Sequence, residues 1–167
     1  MLPHAQPMNI RRARTNDAAE VCAVVRSSIT ELCHLDHGGD EAFLARWLSN
    51  KTIENVSRWI SDSHFFVAEE GGRIVGAAAM NHSGKVTLNY VSPDARFRGA
   101  SKALMLYMED NARAAGITEC WLETSQTALR FYQALGYVRS EESYVLPLTG
   151  APAMVLRKRL RPLEISN

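Results

Sequence analysis

The chain has 167 residues, 46% of them hydrophobic and 22% charged, with a formal net charge of +1, the proportions of an ordinary globular chain long enough for one domain with its own core. A balance this close to neutral gives no support to a nucleic-acid partner or an acidic membrane surface, and no apolar run approaches the ~18–20 residues that span a bilayer. Cys22, Cys33 and Cys120 are odd in number and far apart, which argues for free thiols and a cytoplasmic location rather than a disulfide framework.

Residues 1–8 read as a flexible tail, and Met1 to Pro7 has neither the basic nor the apolar region of a secretory signal. Asn9 to Arg12 is a short candidate strand. Asp17 with Glu20 fits a capping box, and Val21, Val24, Val25, Ser28 and Leu32 follow at helical spacing, which predicts a helix from about Asp17 to Leu32. Cys33 to Asp40, with a Gly-Gly pair and no periodicity, reads as a loop. Glu41–Leu48 and Thr52–Ile60 are predicted helices, the second capped by Thr52.

Strand patterns follow. Phe65–Glu69, Ile74–Met80 and Lys85–Val91 are separated by the turns Glu70-Gly-Gly-Arg73 and Asn81-His-Ser-Gly84. In the third, Val86, Leu88 and Tyr90 share one face, and Thr87, Asn89 and Val91 the other. A long helix is predicted from Ala103 to Ala115, with Ala103, Leu104, Tyr107, Met108, Asn111 and Ala115 as its stripe and Gly116 as its left-handed cap. Glu119–Glu123 is a strand. Thr124-Ser-Gln-Thr127 offers capping hydroxyls to a helix at Ala128–Leu135, and Tyr137–Tyr144 and Ala153–Arg159 are closing strands. The order predicts a single α+β domain over residues 1–167, with no linker to divide it.

The stretch between the third of these strands and the long helix carries the strongest chemical signal. Arg96, Arg98 and Lys102 surround the small residues Gly99, Ala100 and Ser101. Small residues bring backbone N–H groups close to an anion at a helix N-terminus. Cations there oppose the helix dipole, a conflict that a bound anion resolves; a solvated basic helix start is the other reading. The spacing matches neither a P-loop nor a dinucleotide fingerprint.

These residues resemble the GNAT superfamily of acyl-CoA-dependent N-acyltransferases. Its pyrophosphate signature, Arg/Gln-x-x-Gly-x-Gly/Ala, is matched by Arg96-Phe-Arg-Gly99-Ala-Ser101, with serine in place of the last glycine, preceded by Val91-Ser-Pro93. Ala128-Leu-Arg-Phe131-Tyr132-Gln-Ala-Leu-Gly136-Tyr137 is similar to its second hallmark, and Ile10 to Asp17, Phe66 to Gly76 and Met154 to Leu160 to its flanking strands. The resemblance implies a mixed, mostly antiparallel central sheet flanked by four to five helices. It implies acetyl-CoA as acyl donor and an amine of a small molecule or protein as acceptor. The donors Cys33, His34, Asp36 and His37 are too crowded, with no second cluster to complete four ligands, to predict a metal site. The coenzyme would lie on Tyr90, Val91, Arg96, Phe97, Arg98, Gly99, Ala100, Ser101 and Lys102, and on Ser125, Ala128, Phe131 and Tyr132, with Tyr132 as the general acid. For the base, the fourth strand offers only Thr87 and Asn89; Glu123 and water are the two candidates. A non-catalytic acyl-CoA-binding module of the same fold is the alternative. Glu31, Asp36, Asp40 and Glu41 would make an acidic acceptor rim, and dimerisation is common in the family. His64 and His82 sit beside turns and carry no assigned role.

Overall fold

Residues 7–162 and 164 are described by the computed structural model. In chain order the elements are β1 (Asn9–Arg12), α1 (Ala18–Leu32), α2 (His34–His37), α3 (Glu41–Leu48), α4 (Ile53–Asp62), β2 (His64–Glu70), β3 (Arg73–Met80), β4 (Val86–Val91), α5 (Ala100–Ala114), β5 (Glu119–Thr124), α6 (Leu129–Ala134), β6 (Val138–Val145) and β7 (Pro152–Arg159). Of the expected tail, residues 1–6 lie outside the described residues, whereas Met8 is half-buried against the core.

Strand pairing is antiparallel within two sheets, β1-β2-β3-β4 and β5-β7-β6. The mixed, mostly antiparallel arrangement expected from the sequence is present, but it is parted between β4 and β5. The sheets are joined by one parallel bridge, Lys85 to Trp121, where the Trp121 N–H donates to the Gly84 carbonyl at 3.0 Å. Gly84 has a φ of +93°, and a Cβ there would collide with the Glu119 carbonyl. Only glycine fits both demands. From Val86 onward β4 pairs with β3 on one side and with no strand on the other.

β2 is apolar at successive positions because both its faces are covered. Phe65 and Val67 pack with α1 and α4 (Val21, Val25, Ile29, Val56), whereas Phe66 and Ala68 pack with α5 (Leu104, Met105, Met108). The small residues of β3 let these helices approach; a Cβ on Gly76 would stand 3.1 Å from Leu104 Cδ1. One guanidinium ties the entry to α1. Arg11 donates to both oxygens of Asp17, at 2.8 and 3.0 Å, and to Glu69 at 2.9 Å. Its hydrogen bonds hold the Asp17 carboxyl below the usual carboxylate range.

Several local expectations are corrected. The Asp17–Glu20 capping box does not form: Asp17 accepts from Arg11 and the Arg14 N–H, and Glu20 accepts from the Ile74 N–H at 2.6 Å, linking α1 to β3. Cys33–Asp40 is not all loop, since α2 makes one turn there before Gly38 leaves it at a φ of +58°. In β4, a register shift opposite Ala79 and Met80 turns Val86 into the α5-side core, away from Leu88 and Tyr90. No side-chain hydroxyl caps α6, and the Thr127 Oγ1 is buried without a partner.

α5 begins at Ala100, three residues before its expected start, and its buried stripe is Ala100, Leu104, Met105, Met108, Glu109 and Ala112. Tyr107 is exposed instead. The stripe was disguised by a carboxylate: Glu109 is fully buried, accepts from Lys158 Nζ at 2.8 and 2.9 Å, and faces the Tyr137 hydroxyl at 3.4 Å. This pair fastens α5 to β7. Lys158→Met strands the buried charge and is expected to cost about 3–5 kcal/mol of unfolding free energy in urea titration, whereas the double variant Glu109→Leu/Lys158→Met recovers most of it. Equal losses in both variants would contradict this reading of the pair.

Candidate active site

The turn after β4 is built to leave backbone donors exposed. Ser92 N–H closes β4 onto the Val75 carbonyl at 2.7 Å, and a short 3₁₀ turn at Pro93–Ala95 buries Ala95. The chain then passes through two left-handed residues, Phe97 at a φ of +65° and Gly99 at +81°. A left-handed conformation is uncommon for a bulky residue; the Phe97 ring is 88% exposed, with the Arg96 guanidinium 4.4 Å from its centroid. Ala100, Ser101 and Lys102 form the first turn of α5, which holds no acidic residue. Among the described residues their N–H groups have no acceptor, so the positive end of the helix is open. Gly99 has open space where a Cβ would go, so its constraint is conformational.

The three expected cations are not equivalent. Arg98 is held by Glu70 at 3.0 Å and by the Asp94 carbonyl at 2.9 Å, and the other Glu70 carboxylate oxygen is buried without a partner. Arg96 and Lys102 are exposed and make no ion pair among the described residues.

Across the parted strands stands Tyr132, buried in α6, with Ser125, Ala128 and Phe131 half-buried nearby in sequence. Its hydroxyl oxygen accepts from Asn89 Nδ2 at 3.2 Å, which brings β4 and α6 together over 43 positions. The Asn89 Oδ1 is buried and has no partner among the described residues. Burial raises the Tyr132 phenol above its ordinary pKa, and the Asn89 bond partly opposes this. The phenol is therefore a neutral proton donor throughout the physiological range. Asn89 shows no sign of this in the sequence, where it is one polar residue of an alternating strand; only the long-range contact with Tyr132 singles it out.

Tyr90 and Val91 follow Asn89 on opposite faces of β4, Val91 on the same face as Asn89. Val91 packs on the α5 side, and Tyr90 on the α1 side beside Trp47. Burial raises the Tyr90 phenol, and the nearby Cys33 and Asp36 add to it; α1 packs against β4. Of the expected acidic rim, Asp40 is occupied as the N-cap of α3, accepting from the Phe43 N–H at 3.0 Å, while Glu31 and Glu41 are exposed. Both ring nitrogens of buried His37 are used, by the Gly39 N–H and the Thr30 carbonyl. Glu123 shares no hydrogen bond with Tyr132 among the described residues; its carboxylate accepts from Lys85 Nζ at 2.9 Å, beside the bridge that joins the sheets.

The helix start supplies N–H groups without acceptors among the described residues, the arrangement that favours an anion, and β4 supplies an edge that no strand covers among the described residues. Residues 24–146 match the family described as Acetyltransferase (GNAT) domain. N-acetyltransferase 8 of Rattus norvegicus is 30% identical, over 74% of this chain and 62% of its own length, so the chain spans less than two thirds of that relative. Among solved structures, a GCN5-related N-acetyltransferase from Rhodopseudomonas palustris superposes with a TM-score of 0.82 at 21% identity, covering 96% of this chain and 99% of that one. The PaiA N-acetyltransferase of Thermoplasma acidophilum, solved in complex with coenzyme A, superposes at 0.76 with 18% identity, covering 92% and 99%. At these identities the likeness establishes the fold.

The α1–α2 junction can be probed through Cys33, whose thiol is pushed up to about 12 by burial, with Asp36 adding to the effect and Arg96 opposing it. At pH 8 it should react with iodoacetamide on the order of 10²-fold more slowly than free cysteine, and Asp36→Asn should speed it. A rate like that of free cysteine would contradict the packing described here.

Proposed function

Because the chain belongs to the GNAT acetyltransferase family, we propose that it transfers the acetyl group of acetyl-CoA to a primary amine of a small molecule or protein, by direct attack in a ternary complex. The observation that carries this reading is the neutral Tyr132 phenol held by Asn89 at the unpaired side of β4. The α5 N–H groups of Ala100, Ser101 and Lys102, with Arg96 and Lys102, hold the pyrophosphate. Serine at position 101 keeps that turn small and adds a hydroxyl donor. The free edge of β4 around Tyr90 and Val91 orients the pantetheine arm and polarises the acyl carbonyl.

The thioester supplies an activated acyl group. Tyr132 gives its proton to the departing sulfur. The amine's surplus proton passes to water, since Glu123 would first have to leave Lys85. Half-buried Asp36 and exposed Glu31 and Glu41 favour a cationic acceptor approaching from the α1–α3 side. The capture of Glu123 by Lys85 also favours a second reading, a module that holds acyl-CoA without transferring it.

Acetyl-CoA at 100-fold above its dissociation constant should stabilise the protein by about 2.7 kcal/mol, seen as a rise in melting temperature. No shift with millimolar acetyl-CoA or CoA would refute both readings. Thiol release from acetyl-CoA in the presence of amino acids, polyamines, aminoglycosides or peptides separates them. With an active acceptor, Tyr132→Phe should lower kcat by roughly 10²–10⁴; an unchanged rate removes Tyr132 from the acid's role.

A further inference from the structure

We infer that Asn89 is a positioning residue for the Tyr132 phenol: its side-chain N–H turns the hydroxyl proton toward the reacting sulfur and stabilises the phenolate left behind. This deepens the acyl-transfer reading and rests on it.

A phenol oxygen carries one proton and accepts at its remaining positions. Asn89 Nδ2 occupies one of these at 3.2 Å, so the O–H must point elsewhere. Its ring neighbours do not capture it. Phe131 and Tyr137 lie edge-on at 5.0 and 5.8 Å, and the Tyr137 hydroxyl is directed to Glu109. Among the described residues the Tyr132 hydroxyl donates to no acceptor. A buried O–H left without an acceptor is costly unless a ligand receives it.

Asn89 itself stands where β4 has lost its second strand partner. Its Oδ1 is buried and has no partner among the described residues.

In the reaction the amine nitrogen bonds to the acyl carbon, the carbon–sulfur bond breaks, and its electron pair goes to sulfur. Tyr132 transfers its proton to that sulfur and becomes a phenolate, which the Asn89 N–H stabilises by a charge-assisted hydrogen bond. The new amide nitrogen loses its extra proton to water, and the phenolate regains one from solvent. Asn89 acts only through Tyr132, so its contribution should vanish when the phenol is gone.

The direct test needs neither coenzyme nor acceptor. Difluorotyrosine is incorporated into the full chain, its position-132 resonance is assigned with Tyr132→Phe, and its ionisation is followed by ¹⁹F NMR. Asn89→Leu should raise the midpoint by about one to two pH units, the worth of a hydrogen bond to a charged group, and Asn89→Asp should raise it further. Asn89→Ala serves if the leucine variant fails to fold. An unmoved midpoint overturns the proposal. So does a falling one, which would mean that the amide oxygen, not the N–H, faces the phenol.

Thiol release with the same amines gives the second readout. Asn89→Leu should lower kcat about 10- to 100-fold with the KM for acetyl-CoA little changed, and should add no loss in a Tyr132→Phe background. An additive loss overturns the proposal. A wild-type protein that neither binds acetyl-CoA nor releases thiol refutes the acyl-transfer reading instead, and the phenol midpoint still decides whether Asn89 holds Tyr132.

Discussion

The architecture depends on where two sheets are allowed to touch. β4 and β5 meet at Lys85 and Trp121, and the bond from the Trp121 N–H to the Gly84 carbonyl closes the joint. Lys85 strengthens it twice, through the Glu123 carboxylate and through the Trp121 ring, 4.9 Å from its ammonium. A continuous sheet would pair every backbone group of β4. Here the strand is paired on one side only after the joint, and an unpaired edge inside a domain is a standing demand for hydrogen-bond partners. The register shift opposite Ala79 and Met80 lies in the same part of β4 and increases its twist.

α5 converts that gap into a site with a defined polarity. Leu104 against Gly76 fixes the helix to the first sheet, and the Glu109–Lys158 pair fixes it to the second. Both anchors lie C-terminal to the first turn, so the helix start is held in place while the N–H groups of Ala100, Ser101 and Lys102 have no acceptor among the described residues. The left-handed residues Phe97 and Gly99 set the approach of the chain to that turn. Arg98 is spent on Glu70, which leaves the local field to Arg96, Lys102 and the helix itself.

Much of this was legible in the sequence. The helix and strand order follows from periodicity and turn chemistry, and Glu41–Leu48 matches to the residue. The basic turn and the Tyr132 segment stand out in the sequence because their patterns are local, built from neighbours in the chain. What escaped depends on distant partners. Glu109 looks like a surface residue until Lys158, 49 positions away, neutralises it in the core. Glu20 and Asp17 look like a capping box, but Ile74 and Arg11 claim them. Asn89 acquires meaning only from Tyr132, and Glu123 loses its apparent freedom only through Lys85. His64 and His82, which looked incidental, share a 3.1 Å contact between the start of β2 and the β3–β4 turn.

If one ligand spans the gap between the sheets, its anionic end lies on α5 and its arm along β4. Amide hydrogen exchange with and without coenzyme A tests it most directly. The account predicts new protection at Ala100, Ser101 and Lys102 and along Tyr90–Val91, with little change at β6, whose residues lie at the far edge of the second sheet. Protection confined to β6 and β7, or exchange in β4 and α5 unchanged by saturating coenzyme, would contradict it.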